Sequence, residues 1–314
     1  MSAPQLAFPM THAGLGTNPF CYTTETAFGV KKTASPTYTA VAITTDVVPT
    51  IDGVSIDVRQ MGSHLVYAIQ NSGMNYGFTI PVHPQDIGFL SRGFNPPNYD
   101  TPAGTSAESV QFLIKYKQAQ GTAGMSDHYM FFLGCKPDST TVTISAQALV
   151  EASMTWGVRE ITVPSTTSGL VTPTIPSLAS ITGPVLQDAD GGPKPLTINA
   201  IPYAVNNFTI TVNNNLIRDA FNGSGLVEAL TVGPIDITGS FTTPVGQDLL
   251  LETRQNNLSQ TGVPASYLVK TGVMKINMTG MLLTSDDSPF EGSPTSTRKH
   301  TYAFKCASAS ITTS

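Results

Sequence analysis

Charge is what this sequence has least of. Only 12% of its 314 residues are Asp, Glu, Lys or Arg, against roughly 25% in an ordinary soluble domain. The net charge is −5, and the basic doublets are confined to Lys31-Lys32 and the Arg298-Lys299-His300 run. That balance excludes the clustered Lys/Arg footprint of a nucleic-acid-binding surface. Cysteine is scarce too. Cys21, Cys135 and Cys306 are odd in number and unrelated in spacing, so no disulfide framework is expected and folding in a reducing cytoplasm is the simple reading. No stretch approaches the ~18 apolar residues of a membrane-spanning helix. The opening MSAPQLAFPMTHAGLG has neither a basic start nor a continuous apolar core, so it does not read as a secretory signal.

Catalytic patterns are missing as well. His12, His64, His83, His128 and His300 each stand more than four residues from any other His or Cys, which rules out zinc-like spacing. No Gly-x-Ser-x-Gly turn and no phosphate-binding Gly-rich loop ending in Lys-Ser/Thr occurs. The nearest approach to a metal loop is Gln187–Gly192, where Asp188 and Asp190 alternate before two glycines. It lacks the further ligands and the distant Glu of a calcium loop and reads as an acidic turn. Trp156, the single Trp, lies in an alternating run with Met154 and Val158 and is expected in a core or an interface. The expectation is a protein that is not an enzyme, with no catalytic, cofactor-binding or metal residues and no cofactor.

What the chain does have is Gly (27), Pro (23) and, between them, short runs rich in Val, Ile and Thr. That is an all-β signature. Residues 1–36 are broken by Pro4, Pro9, Gly14, Gly16, Pro19 and Pro36 and read as an irregular arm. Strands are expected over 38–48 and 54–58 about an Asp52-Gly53 turn, over 64–70 and 76–82 separately, and over 110–118. Further strands are expected over 128–135, 140–147 and 154–163, with a Gly/Pro turn at 134–138. In the second half they are expected over 207–216, as a kinked pair over 229–245, over 273–283 and over 301–312. Residues 93–109 and 285–296 read as long loops.

Residues 77–92, GFTIPVHPQDIGFLSR, return as residues 240–254, SFTTPVGQDLLLETR. With one gap at Pro84 they share Phe78/Phe241, Thr79/Thr242, Pro81/Pro244, Val82/Val245, Gln85/Gln247, Asp86/Asp248 and Arg92/Arg254. The phenylalanines lie 163 residues apart (241 − 78), close to half the chain. Each copy reads as a strand followed by a short helix capped by Asp86 or Asp248. A repeat of this period implies a duplicated module, and the Pro/Gly-rich stretch 164–195 is its natural seam. The expected domains are therefore 1–165 and 166–314, one short helix in each.

The segment Phe208–Glu252 resembles the tail tube proteins of tailed bacterial and archaeal viruses. The likeness lies in a strand ending at Asn213-Asn214-Asn215, a Gly-rich loop, and a strand ending Thr238-Gly239-Ser240-Phe241 before an acidic-capped helix. Val47–Asp52 replaces the Asn cluster in the first half. The resemblance implies two tandem β-sandwich or half-barrel modules whose edge strands join those of neighbours. Rings would follow, trimeric and pseudo-hexameric or, alternatively, hexameric, stacked into a tube that delivers viral DNA without binding it specifically. It implies a virion tail protein assembled in the host cytoplasm. Its partners would be tape-measure, terminator, baseplate or tip proteins, and a sheath if the tail contracts. The Thr/Asn/Gly composition equally suits another virion or surface β-sandwich, such as a capsid decoration protein, a fibre or a carbohydrate-binding module.

Overall fold

The structure is a computed structural model. It describes residues 20–41, 47–59, 66–82, 87–94, 109–119, 125–146, 148–162, 194–219, 228–244, 262–270, 273–287 and 299–313. The first half contributes β1 (Phe20–Thr24), β2 (Thr39–Val41), β3 (Val48–Arg59), β4 (Val66–Val82), α1 (Ile87–Phe94), β5 (Val110–Ala119), β6 (Met125–Ser145), β7 (Glu151–Val158) and β8 (Glu160–Ile161). The second contributes β9 (Leu196–Ile198), β10 (Ile201–Tyr203), β11 (Asn207–Asn213), β12 (Ile217–Asp219), β13 (Ala229–Thr231) and β14 (Asp236–Pro244). After these come β15 (Val263–Lys270), β16 (Met274–Asp287), β17 (Lys299–Cys306) and β18 (Ser308–Thr312). The protein is all-β, with one helix among the described residues. The second expected helix, after Asp248, lies outside them, as do both capping aspartates.

Period-two alternation explains why these segments are strands. In β11, Phe208, Ile210 and Val212 are buried while Asn207, Thr209 and Thr211 face away. In β7, Ala152, Met154 and Trp156 do the same. Among the described residues sixteen strands form one antiparallel sheet, and β12 pairs only with β13. In the first half the order of hydrogen-bonded neighbours is β3-β4-β7-β6-β5-β1-β2. In the second it is β11-β14-β17-β16-β15-β9-β10. The same positions along the chain thus fill the same positions in the sheet. The halves meet where β11 pairs with the last seven residues of β6. Most of their buried residues, from Phe20 to Ile311, form one continuous cluster, while Cys21, Tyr38, Leu113, Phe131 and Leu133 form a second, smaller one.

The correspondence extends to irregularities. β5 and β6 slip register between Val110 and Phe112, and β15 and β16 slip between Val263 and Ala265. At both places the longer strand turns through a glycine at positive φ, Gly134 (+64°) and Gly280 (+60°). These two are 146 residues apart (280 − 134). Opposite each, the partner strand breaks for one residue. Arg159 N–H donates to the Leu133 carbonyl (3.0 Å), and Ala307 N–H donates to that of Thr279 (2.9 Å). This bulge is why residues 154–163 and 301–312 each form two strands rather than the single one expected. It also removes the turn expected at Gly134–Asp138, because β6 runs through it.

Four further expectations change. β1 belongs to the sheet between β2 and β5, and Phe20, Cys21 and Tyr22 are buried, so residues 20–24 are no part of a loose arm. The flanking Pro and Gly residues bound a short strand instead of preventing one. β3 runs through Asp52-Gly53, because β4 pairs with it in unbroken register from Val48 to Val54 and resumes at Ser55 after a slip. β4 itself is one strand of 17 residues. Residues 229–245 are not a strand pair: β13 pairs with β12, whereas β14 lies between β11 and β17.

A Cβ at Gly134 would lie 2.7 Å from Arg159 Cβ and 3.1 Å from Phe28 Cε2; at Gly280 it would lie 2.8 Å from Ala307 Cβ. Alanine at either site adds left-handed backbone strain to overpacking, together about 2–4 kcal/mol. Urea unfolding of Gly134→Ala and Gly280→Ala should show losses of that size, with the larger at Gly134, where the aromatic ring is also displaced.

Candidate assembly surface

The joint between the halves is built largely from backbone. Ser139–Ser145 of β6 and Asn207–Asn213 of β11 form seven antiparallel pairs. On the exposed face Thr141 and Thr211 share a hydroxyl hydrogen bond of 2.9 Å. Antiparallel pairing of this kind satisfies edge N–H and C=O groups that would otherwise stay open. β6 can serve both halves because it is long. Its other edge carries β7 and then β8, while β5 and β11 lie end to end along this one.

The Asn cluster ends β11 and turns the chain back over the first half. Asn215 sits at φ 46°, a region that Asn tolerates better than most residues. Its N–H donates to Asn213 Oδ1 (3.1 Å), and its amide donates to the Pro234 carbonyl (2.6 Å). The buried Asn214 donates through its N–H to the Asp138 carbonyl (2.7 Å) and through Nδ2 to that of Pro137 (3.0 Å). Leu216 N–H donates to Asp138 Oδ1 (3.0 Å). Beyond it, Arg218 Nη1 donates to the Tyr76 carbonyl on β4 (2.9 Å). Arg159 faces Glu228 at 3.6 Å. The β12–β13 hairpin thereby clamps the first half across β4, β6 and β7. On the other side of the joint, α1 packs against β18.

Those of the residues singled out in the sequence that the structure describes do not converge. Trp156 is buried in an aromatic cluster, with Phe112 edge-on at 4.9 Å and Phe78 stacked at 6.5 Å. Lys31 Nζ lies 3.8 Å from the centre of the Phe131 ring, and burial lowers its pKa. Lys32 offers its backbone N–H to Gln111 Oε1. His300 stacks on Tyr302. His12, His64, His83, Arg298 and Gln187–Gly192 lie outside the described residues, as does the His128 side chain. Among the described residues no group of three His, Cys, Asp or Glu could hold a metal. All three cysteines are free. Burial pushes the Cys21 and Cys306 thiols up to about 12 and Cys135 well above its ordinary value, which keeps them protonated and poorly nucleophilic.

Sequence reasoning missed Glu25, Arg159, Arg218 and Asp138, whose roles depend on partners far along the chain. Glu25 is buried. It accepts from Gly134 N–H (2.8 Å), Gly29 N–H (2.9 Å) and Ser109 Oγ (2.5 Å). It therefore ties the end of β1 to the bulge of β6. Desolvation raises its pKa, against the opposing pull of these hydrogen bonds and of Arg159.

A carboxyl raised in the folded state favours folding in its neutral form. That stability is present below the unfolded pKa and is lost as pH rises through the folded one. Glu25→Gln, which stays neutral, should remove this component. Between pH 4 and pH 7 its unfolding midpoint should fall less than that of the native chain. Glu25→Ala should cost about 2–4 kcal/mol, since it strands two buried N–H groups and a hydroxyl. Urea titrations at several pH values read both effects.

No curated protein matches the chain. Residues 18–305 match the family described as phage tail tube protein. That span takes in every strand of both halves except the last residue of β17 and the whole of β18, including the joint between them. The chain belongs to the phage tail tube protein family, as a structural protein of the virion tail.

Proposed function

We propose that the chain is two tandem copies of one tail-tube module, residues 1–165 and 166–314, each a β-sandwich or half-barrel. Three chains close a pseudo-sixfold ring, six being the alternative, and rings stack into the hollow tube through which viral DNA reaches the host. The observation that carries this reading is the strand order repeated in the two halves, with one module-to-module joint already made inside the chain. Two modules per chain need only three chains to supply six. Contacts that join different surfaces head to tail close rings about an axis and build filaments along it.

The reading assigns the protein a mechanical role and no chemical step. A conduit for DNA works when its wall does not adsorb phosphate. Three chains at −5 each put −15 on a ring, whereas a cationic wall would hold DNA through counterion release. The tube would meet tape-measure, terminator and baseplate or tip proteins, and a sheath where the tail contracts. Assembly would take place in the host cytoplasm.

Purified protein imaged by negative-stain electron microscopy should form stacked rings, and native mass spectrometry of short assemblies should give multiples of three chains. Each chain–chain interface should bury on the order of 2,000 Å². A stable monomer at high concentration would sink the reading. Assemblies of six, twelve and eighteen chains, with none of three, nine or fifteen, would replace the three-chain ring by the hexameric one.

A further inference from the structure

The joint inside the chain has three parts: the edge pairing of β6 with β11, the β12–β13 hairpin that clamps the first half, and α1 against β18. Because the strand order is repeated, each half carries a position that matches its share of this joint. The counterpart of β11 is β3, which pairs with β4 as β11 pairs with β14. The counterpart of the end of β6 is the end of β16, Leu282–Asp287, which runs beside β17 as that of β6 runs beside β7. Among the described residues no strand pairs with the outer edge of β3, or with the edge of Leu282–Asp287 that faces away from β17. Beyond Tyr76, moreover, β4 has no described neighbour except β3, so the two project as a ribbon. This ribbon stands where the second half has its β12–β13 hairpin.

We infer that these two open edges bind each other between copies of this chain: β3 of one copy adds antiparallel to the end of β16 of the next, and the β3–β4 ribbon lies across that copy's β14, β16 and β17. The inference rests on the ring-forming reading and names its interface. The partner is a second copy because the matching half-joint is already occupied by this chain's own second half, on an edge of the same geometry. Strand addition at an open edge draws its affinity from main-chain hydrogen bonds, and it closes both edges at once.

The irregularities fix the register. The shared bulge makes Ser285 the counterpart of Ser139, since each follows the same slip opposite β17 or β7. Carried through β17 and β14, the pairings make Asp52 the counterpart of Asn213. Ser285 then stands opposite Asp52, and Asp287 opposite Thr50, the places held within the chain by Ser139–Asn213 and Thr141–Thr211. The sequence repeat, which equates Phe78 with Phe241, shifts this by two residues and sets Asp287 opposite Asp52. Two carboxylates directly opposite repel, whereas a threonine hydroxyl can donate to a carboxylate, so the first register is favoured.

Paired cysteines test this in assembled protein. Thr50→Cys with Asp287→Cys in one chain should, on mild oxidation, give a ladder of covalent oligomers on non-reducing gels. Asp52→Cys with Asp287→Cys and each single variant should give at least tenfold less. Efficient crosslinking of the Asp52 pair instead would overturn the register. Tubes that form while neither pair crosslinks above the single variants would overturn the joint but leave the ring reading standing. Absence of tubes from the native chain would remove both. Where a variant does not assemble, hydrogen exchange of the native chain decides. Amides in Val48–Asp52 and Ser285–Asp287 should gain protection on assembly, and unchanged exchange there would overturn the inference.

Discussion

Everything in this structure depends on the need of edge backbone groups for partners. A sheet this wide, in a chain with so few charges to blunt its edges, must pair them or cover them. The β6–β11 seam is the solution visible inside the chain. It is made from Thr, Ser and Asn on one face and from Val142, Ile144, Phe208, Ile210 and Val212 on the other, all five of them buried. One strand pairing therefore satisfies main-chain groups and completes a core in the same step. The hairpin that folds back from Asn214 then fixes the angle at which the second half leaves the first, through carbonyls of Pro137, Asp138 and Tyr76 that side-chain substitution cannot remove.

The long strands can serve several neighbours only because they bend. At Gly134 and Gly280 the backbone enters the left-handed region, the partner strand breaks, and the direction of pairing changes. Past each glycine the strand has new partners: β5 gives way to β11 along β6, and β18 gives way to β17 along β16. Bulges increase twist and re-aim strands in this way. Glu25 reinforces the first bulge by accepting the Gly134 N–H, which places a buried carboxylate at a point of backbone strain rather than in a chemical site.

The sequence was legible wherever a signal was local. Alternation in β7 and β11 and the buried setting of Trp156 follow from side-chain periodicity alone. The repeat at Phe78 and Phe241 located two strands that hold the same place in the sheet. Illegible were the features set by distant partners. The turn residues Asp52-Gly53 lie within a strand because β4 pairs with them and with the residues on either side. β1 is a strand, between residues rich in Pro and Gly, because β2 and β5 lie on its two sides. Glu25, Arg159 and Arg218 were invisible because, Gly29 beside Glu25 apart, the partners described for their side chains lie 69 to 142 residues away. The glycines at 134 and 280 did carry a usable signal, since an isolated glycine within a strand pattern indicates a bulge. Reading Gly134 as part of a turn missed it.

Covalent linkage of the two proposed modules would change the energetics of any ring built from them. Association of free subunits costs about 4–15 kcal/mol in translational and rotational freedom for each joint. In this chain one of the two kinds of joint, β6–β11, is intramolecular, so its closure is a loop-closure problem whose cost grows only slowly with linker length. In the proposed three-chain ring, half the joints are therefore made as the chain folds, and only the β3–β16 contacts depend on concentration. The two classes can then differ in strength without loss of the ring. The intrachain seam can be long and apolar, whereas the interchain one can carry Asp286 and Asp287, residues that disfavour pairing with the wrong strand edge while the chain is still free. A duplicated chain can thus separate folding from assembly, a separation that six identical single-module subunits cannot make.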